Sequence, residues 1–395
     1  MLRLLSFWLL PLVAFSSTLH AADFSGNISV QSRLFQHDAL DTNQHNHYNS
    51  VAIEPELYQK WDDGKQSLNA KVFYRHDQQD EERSHGDIRE LSWTGVYDNF
   101  EITAGISKIF WGVTESQHLV DIINQTDLVE NTDGEDKLGQ PMIRFSTEQD
   151  WGVLDLFAMP GFREQTFPGI EGRPRFEIAP GLSFDADAAT YESDKEEKHI
   201  DYAARWLGYF DEIELGISYF TGTSREPTIV LNGTILSPHY LQIKQIGIDL
   251  QAIVEDWTWK LEAISRKNDS ENYIATTAGF EYTLVGIFET DSDLGIVIEY
   301  LYDDRDELAT SPFQNDITTA LRWALNDVQS TEVLLGIITD LDESVVASFI
   351  EASRRLGNDF KLTLEARAFN NTAPNRPLHN FRQDDFIQAD LALYF

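Results

Sequence analysis

The chain has 395 residues, a formal net charge of −36, 12% aromatic residues and no cysteine. Such an acidic chain repels phosphate, which excludes nucleic acid as a partner, and it offers no basic face for anionic lipid. Missing cysteines exclude a disulfide framework, and the aromatic content is too high for a disordered acidic polymer.

Arg3 precedes an apolar run from Leu4 to Phe15, which is followed by the small residues Ser16, Ser17, Ala21 and Ala22. That order reads as a secretory signal peptide over residues 1–22, cut after Ala21 or Ala22. The run falls short of the about 18 apolar residues a spanning helix wants. Mean hydropathy is −0.34, as expected of a membrane barrel in which every second residue faces lipid.

From residue 23 to 395 the pattern has period two, in stretches of the length a tilted membrane strand needs. Leu68, Ala70, Val72 and Tyr74 alternate with Asn69, Lys71, Phe73 and Arg75. The same rhythm recurs over Ile213–Tyr219, Trp257–Ala263 and Phe360–Ala368, and over Ile387, Ala389, Leu391, Leu393 and the terminal Phe395. A soluble antiparallel sheet alternates too. Two features favour the membrane: charge of both signs on the polar face, and rings near strand ends at Tyr74, Trp93, Trp206, Tyr219, Trp257, Tyr300 and Trp323. Short turns (Asp62-Asp63-Gly64, Asp98-Asn99, Gln149-Asp150, Asp211, Glu255-Asp256, Gly357-Asn358) alternate with longer loops near 36–46, 78–85, 113–140, 164–197, 223–238, 306–313 and 371–382. The predicted fold is an all-β transmembrane antiparallel β-barrel of about 18 strands (16 to 20), with periplasmic termini and a long inward-folding loop. The chain end at Phe395 reads as the signal that outer-membrane proteins present to the barrel-assembly machinery.

Residues 105–127 are the most distinctive stretch. A strand is expected to run into Trp111-Gly112, and residues 117–129 place His118, Leu119, Ile122 and Ile123 at roughly helical spacing. With Trp111, Gly112 and the Asp-x-x-Asn-x-x-Asp of Asp121, Asn124 and Asp127, the sequence resembles a family of large proteobacterial outer-membrane barrels of uncharacterised function. The family's usual Asn-Pro is Asn124-Gln125 here. Phe167-Pro168-Gly169 followed by Glu171-Gly172-Arg173 is a second match. The resemblance implies an outer-membrane barrel with an inward-folded loop, and no particular substrate.

The residues themselves nominate two sets of sites. Trp111, Glu115, His118, Asp121, Asn124 and Asp127 are pore-constriction candidates. For the last three, capping a short helix and tying the loop to the wall is the favoured use, because Asp and Asn are the usual turn and cap residues. The inward parity collects Arg75, Glu101, Arg144, Asp201, Arg205, Glu214, Glu262, Arg266, Glu299, Arg322, Glu365 and Arg367. Opposed charges in a narrow channel set up a transverse field that filters solutes. The same charges also brace a wall as ion pairs. Acidic runs at 133–136, 192–197 and 303–307 lack the calcium-loop spacing and read as solvated charge. His37, His45 and His47 have no second ligand pair nearby in sequence, so no metal or cofactor is expected.

The leading functional expectation is a porin-like channel for small hydrophilic solutes. Alternatives are a transporter of lipids or other apolar compounds, with Phe73, Leu207 and Phe220 on the inner face, an outer-membrane enzyme, or a soluble secreted β protein. Expected partners are outer-membrane lipid, lipopolysaccharide and the assembly machinery, with a homo-oligomer left open.

Overall fold

The structure, a computed structural model, describes residues 22–306, 309–343, 345–372, 374 and 377–395. The expected signal peptide therefore lies, except for Ala22, outside the described residues, as does Glu307 of the third acidic run.

Eighteen strands, from Asp23–Phe35 to Phe386–Tyr394, each pair antiparallel with their neighbours in the chain, and the first pairs with the last from Asn27↔Tyr394 to Phe35↔Phe386. The sheet is therefore a closed barrel with no free edge, which satisfies every ladder position without water. At the seam, Gly26 and Phe395 exchange backbone bonds of 3.0 Å in both directions, and the Phe395 ring lies 5.7 Å from that of Phe24. The chain end thus completes the closing pair.

Alternation sorts the side chains as the sequence predicts. Val72 and Tyr74 are exposed on the outer face while Phe73 and Arg75 are buried inside. The same outward exposure recurs at Ile28, Ile217, Ile248, Ile337, Ile350 and Leu391. A bare apolar belt around a closed sheet is a surface for hydrocarbon, not for water. The rings divide by type: Tyr74, Tyr219 and Tyr300 stand near the long-loop ends of their strands, and Trp93, Trp206, Trp257 and Trp323 near the short-turn ends. No described helix is long and apolar enough to cross a membrane.

Three local expectations need correction. The strand before Trp111 is Glu101–Ser107, so it stops short of the Trp-Gly pair, and the connection spans 108–139. Residues 117–129 form turns and irregular backbone, not a helix; their apolar side chains are placed by contact with the wall instead. On the short-turn side, 285–292 and 325–331 are longer connections than the alternation suggested. Outside the barrel ring, Thr228–Asn232 and Ile235–Tyr240 form a hairpin that also pairs with Ser183–Phe184 and Thr190–Tyr191, so two of the long loops are joined by a small second sheet.

Candidate functional site: the lumen and its inner segment

Segment 108–139 bonds to strands all round the barrel. Arg33 of the first strand donates to Glu130 O (3.4 Å), Arg75 of the third pairs with Glu130 (2.7 Å), and Arg89 of the fourth pairs with Asp127 (2.7 Å). On the far side, Glu262 accepts from Val113 N (2.7 Å) and Thr114 N (3.1 Å), and Glu299 from Glu115 N and Ser116 N (both 2.8 Å). Glu262, Glu299 and Glu365 lie near the middle of Trp257–Lys267, Asp293–Asp303 and Phe360–Asn370. A segment tied to opposite walls at mid-strand depth crosses the lumen.

One side of the segment is a core. Trp111, Leu119, Val120, Ile122 and Ile123 pack with Met142, Phe157, Phe220, Ile243 and Ile264 from the inner wall. Each fully buried aliphatic residue here stabilises the packed state by about 2 kcal/mol relative to exposure. Gly112 permits this seating: a Cβ there would come within 3.0 Å of Glu262 Oε1 and 2.9 Å of His118 Nδ1. That close approach gives the Trp-Gly pair a physical reason.

Asn124 has no exposed surface. Its Oδ1 accepts from Ile109 N (2.8 Å) and its Nδ2 donates to Ser107 O (2.9 Å) and Leu138 O (2.8 Å), clamping the two ends of the segment together. Asp127, also fully buried, accepts from Arg89, from Thr166 Oγ1 (2.7 Å) and from His85 (3.4 Å). Burial opposes its charge, but His85 and Arg89 prevail and hold its pKa at about 2. Asp121 pairs with Lys137 (3.2 Å) and accepts from Trp111 N. Trp111, Asp121, Asn124 and Asp127 therefore sit in the seam and do not line open water: Asp121 braces the segment internally, while Asn124 and Asp127 tie it to the strands; the sequence had left both uses standing. Glu115 and His118 lie on the other side.

That side is charged. Arg322 is shared by Glu115 and Glu281, the latter at 3.2 Å. Arg367 meets Glu351 (2.7 Å), Glu365 (2.9 Å) and Asp133 (3.3 Å). His118 lies 3.0 Å from Glu135 and 3.8 Å from Glu262. Enclosure works against the imidazolium, yet the two carboxylates raise its pKa to about 10. The run at 133–136 is thus not a solvated outer loop: Asp133 and Glu135 are paired inside the lumen. Enclosure, with Glu130 and Asp133 nearby, pushes Asp136 up to about 7.

The other inward residues fall into pairs: Arg205–Asp249 (2.7 Å), Arg225–Asp201 (2.8 Å), Arg266–Glu226 (3.0 Å) and Arg144–Asp155 (2.9 Å). Glu101 and Glu214 point inward without an ion pair among the described residues. Parity could have found Arg33, Asp249, Glu281 and Glu351, which stand on the same face as the residues that were chosen; Arg89 sits at a bulge, skipped between Glu90 and Ile88, where the alternation breaks. Arg83, Arg173 and Arg225 sit in connections, where no periodicity marks them. The glycine-rich stretch of the second match packs on Asp80: a Cβ at Gly172 would come within 2.2 Å of Asp80 Oδ2. Arg173 there binds Asp384 (2.7 Å) and lies 4.2 Å from the Phe35 ring.

No three His, Asp or Glu side chains converge as metal ligands among the described residues. Ser84 Oγ comes within 3.4 Å of His76 Nδ1, but the hydroxyl also bonds Asp77 O, and among the described residues no carboxylate bonds His76.

No family model and no curated protein matches the chain. Among solved structures, a BenF-like porin from Pseudomonas fluorescens Pf-5 is similar over 94% of this chain and 98% of its own, with a TM-score of 0.53 and 10% identity. A mutant of Rh. blastica porin aligns over 95% of this chain and 100% of its own, at a TM-score of 0.45 and 10% identity. At such identity the likeness to the first of these shows the closed-barrel fold and nothing finer.

Proposed function

We propose that the protein is an outer-membrane channel of porin type, in which small hydrophilic solutes diffuse through a charged lumen narrowed by segment 108–139. One observation carries this reading: the segment crosses a closed barrel, yet charged groups on its free side keep contact with water. The side chain of Glu135 is 57% exposed, that of Glu351 46% and that of Arg322 33%, whereas those of Asp121 and Asp127 are at most 1% exposed. The charges on the free side of the segment therefore meet water, and the clamped ones do not. The apolar outer belt with its two ring zones supports the membrane location, and the barrel of the BenF-like porin is an architecture of the same kind.

On this reading the lumen carries acids on the segment and acids with arginines on the wall. A solute passing between them exchanges part of its hydration for these fixed charges. Phe395 serves in assembly by presenting the closing strand, and outer-membrane lipid and lipopolysaccharide cover the belt. A homo-oligomer is compatible with this reading.

The test is planar-bilayer recording of purified, folded protein. Stepwise conductance in KCl is expected; no conductance from folded protein overturns the reading. The lipid-transport alternative has less to build on, because Phe220 is packed in the seam and Phe73 is covered by Arg89, 4.6 Å from its ring.

A further inference from the structure

We propose that the open side of the lumen selects small cations over anions, organic ammonium ions foremost. This rests on the channel reading above and assigns it a solute class.

The argument starts from who holds whom. Arg322 is shared by two carboxylates, Arg367 by three, and protonated His118 by two. The Arg367 and His118 groups keep net negative charge, the Arg322 group is balanced by Lys260, 3.7 Å from Glu281, and in each the cation is already engaged. A permeating anion would have to displace a carboxylate to reach a guanidinium. A permeating cation finds the carboxylates of Glu135 and Glu351 largely open to water. Exposure points the same way in two of the groups, where the side chains of Glu135 and Glu351 are 57% and 46% exposed, against 21% for Arg367 and 19% for His118; in the third, Arg322 is more exposed than Glu115 or Glu281. The opposing charges without an ion pair among the described residues include Lys108, exposed at the root of the segment, and Arg355 and Lys361, which share the inner parity of Glu351 and Glu365 near the short-turn end.

A second observation is independent of charge. Phe110 is 57% exposed, although it stands inside the barrel. Its ring is 4.8 Å from the His118 ring and approaches Gly112 from the same side as Glu262, which is wholly buried mid-wall. Packing does not require an aromatic ring there, and water disfavours it. The exposed Glu135 lies one side chain further on, 3.0 Å from His118, and a ring face with an exposed carboxylate in reach is a surface for an organic ammonium ion, which the ring quadrupole attracts while the carboxylate neutralises it.

The test is the reversal potential of the full-length, refolded protein in planar bilayers at pH 8 under a KCl gradient. Preference for K+ over Cl− is expected, falling toward parity in the E135Q/E351Q double variant. Tetraethylammonium is expected to interrupt the K+ current, about threefold more weakly in Phe110→Ala, the worth of an exposed cation–π contact. Folding of each variant is checked by the resistance of the barrel to heat in detergent. A native preference for Cl−, or no preference, overturns the proposal while leaving the channel reading intact. Equal block of native and Phe110→Ala overturns the role of the ring. Absence of any conductance overturns the channel reading itself, and this inference with it.

Discussion

The two sides of segment 108–139 use the same chain for opposite ends. Toward the strands from Gln140–Gln149 to Asn272–Leu284 it presents Val120, Ile122 and Ile123, wholly or almost wholly buried. Toward the strands from Asp293–Asp303 to Phe360–Asn370 it presents Glu115, Asp133 and Glu135, paired with charges and open to water. The seam is apolar contact plus buried polar clamps, so it has one arrangement. The open side is a set of partly exposed ion pairs, in closer touch with water than the seam, so its charges are free to serve solutes without being the main hold on the fold.

That contrast is broken most directly at Asn124. Asn124→Ala deletes three buried bonds and leaves their partners unsatisfied. A loss of about 3 kcal/mol is expected, measured as a lowered urea midpoint in micelles, with larger and noisier conductance as the segment loosens. An unchanged midpoint would mean the clamp does not hold the segment. Glu262→Gln comes next. It removes the charge that receives Val113 N and Thr114 N and that faces His118, so the His118 pKa should fall from about 10, followed by imidazole NMR titration; a constant value would sever seam from opening. On the open side Glu351→Gln should move stability by no more than about 0.5 kcal/mol, read in the same urea titration, although it changes selectivity. The smallest effect is on pH. Asp136, raised to about 7 by enclosure and by Glu130, Asp133 and Asp127, is charged above that value and neutral below it. Lowering the pH from 8 to 6 should therefore weaken cation preference, read as a reversal-potential shift toward zero, and Asp136→Asn should abolish that part of the change.

Much of the barrel was legible because a strand reports its two faces residue by residue. Val72 outside and Arg75 inside follow from parity alone, as do Glu262 and Glu299. The inner segment has no such period. Helical spacing at His118, Leu119, Ile122 and Ile123 suggested a helix, but those side chains are set by an irregular backbone fitted to the wall, where tertiary contact overrides local pattern. For the same reason the acids at 133–136 looked like outer-loop charge: nothing in Asp133 or Glu135 says that Arg367 of the wall and His118 of the same segment await them inside the lumen. Asp121, Asn124 and Asp127 were recognisable as a set by their spacing, and the structure places them in the seam.

The central claim is that water and solutes pass on the charged side of the segment. The chain has no cysteine, so single thiols can be introduced cleanly. Single-channel recording of Glu135→Cys and Ile122→Cys, before and after a charged thiosulfonate reagent, tests the claim directly. The account predicts a stepwise fall in current for Glu135→Cys and none for Ile122→Cys. A fall for Ile122→Cys with no change at position 135 would put the path on the other side of the segment and contradict it.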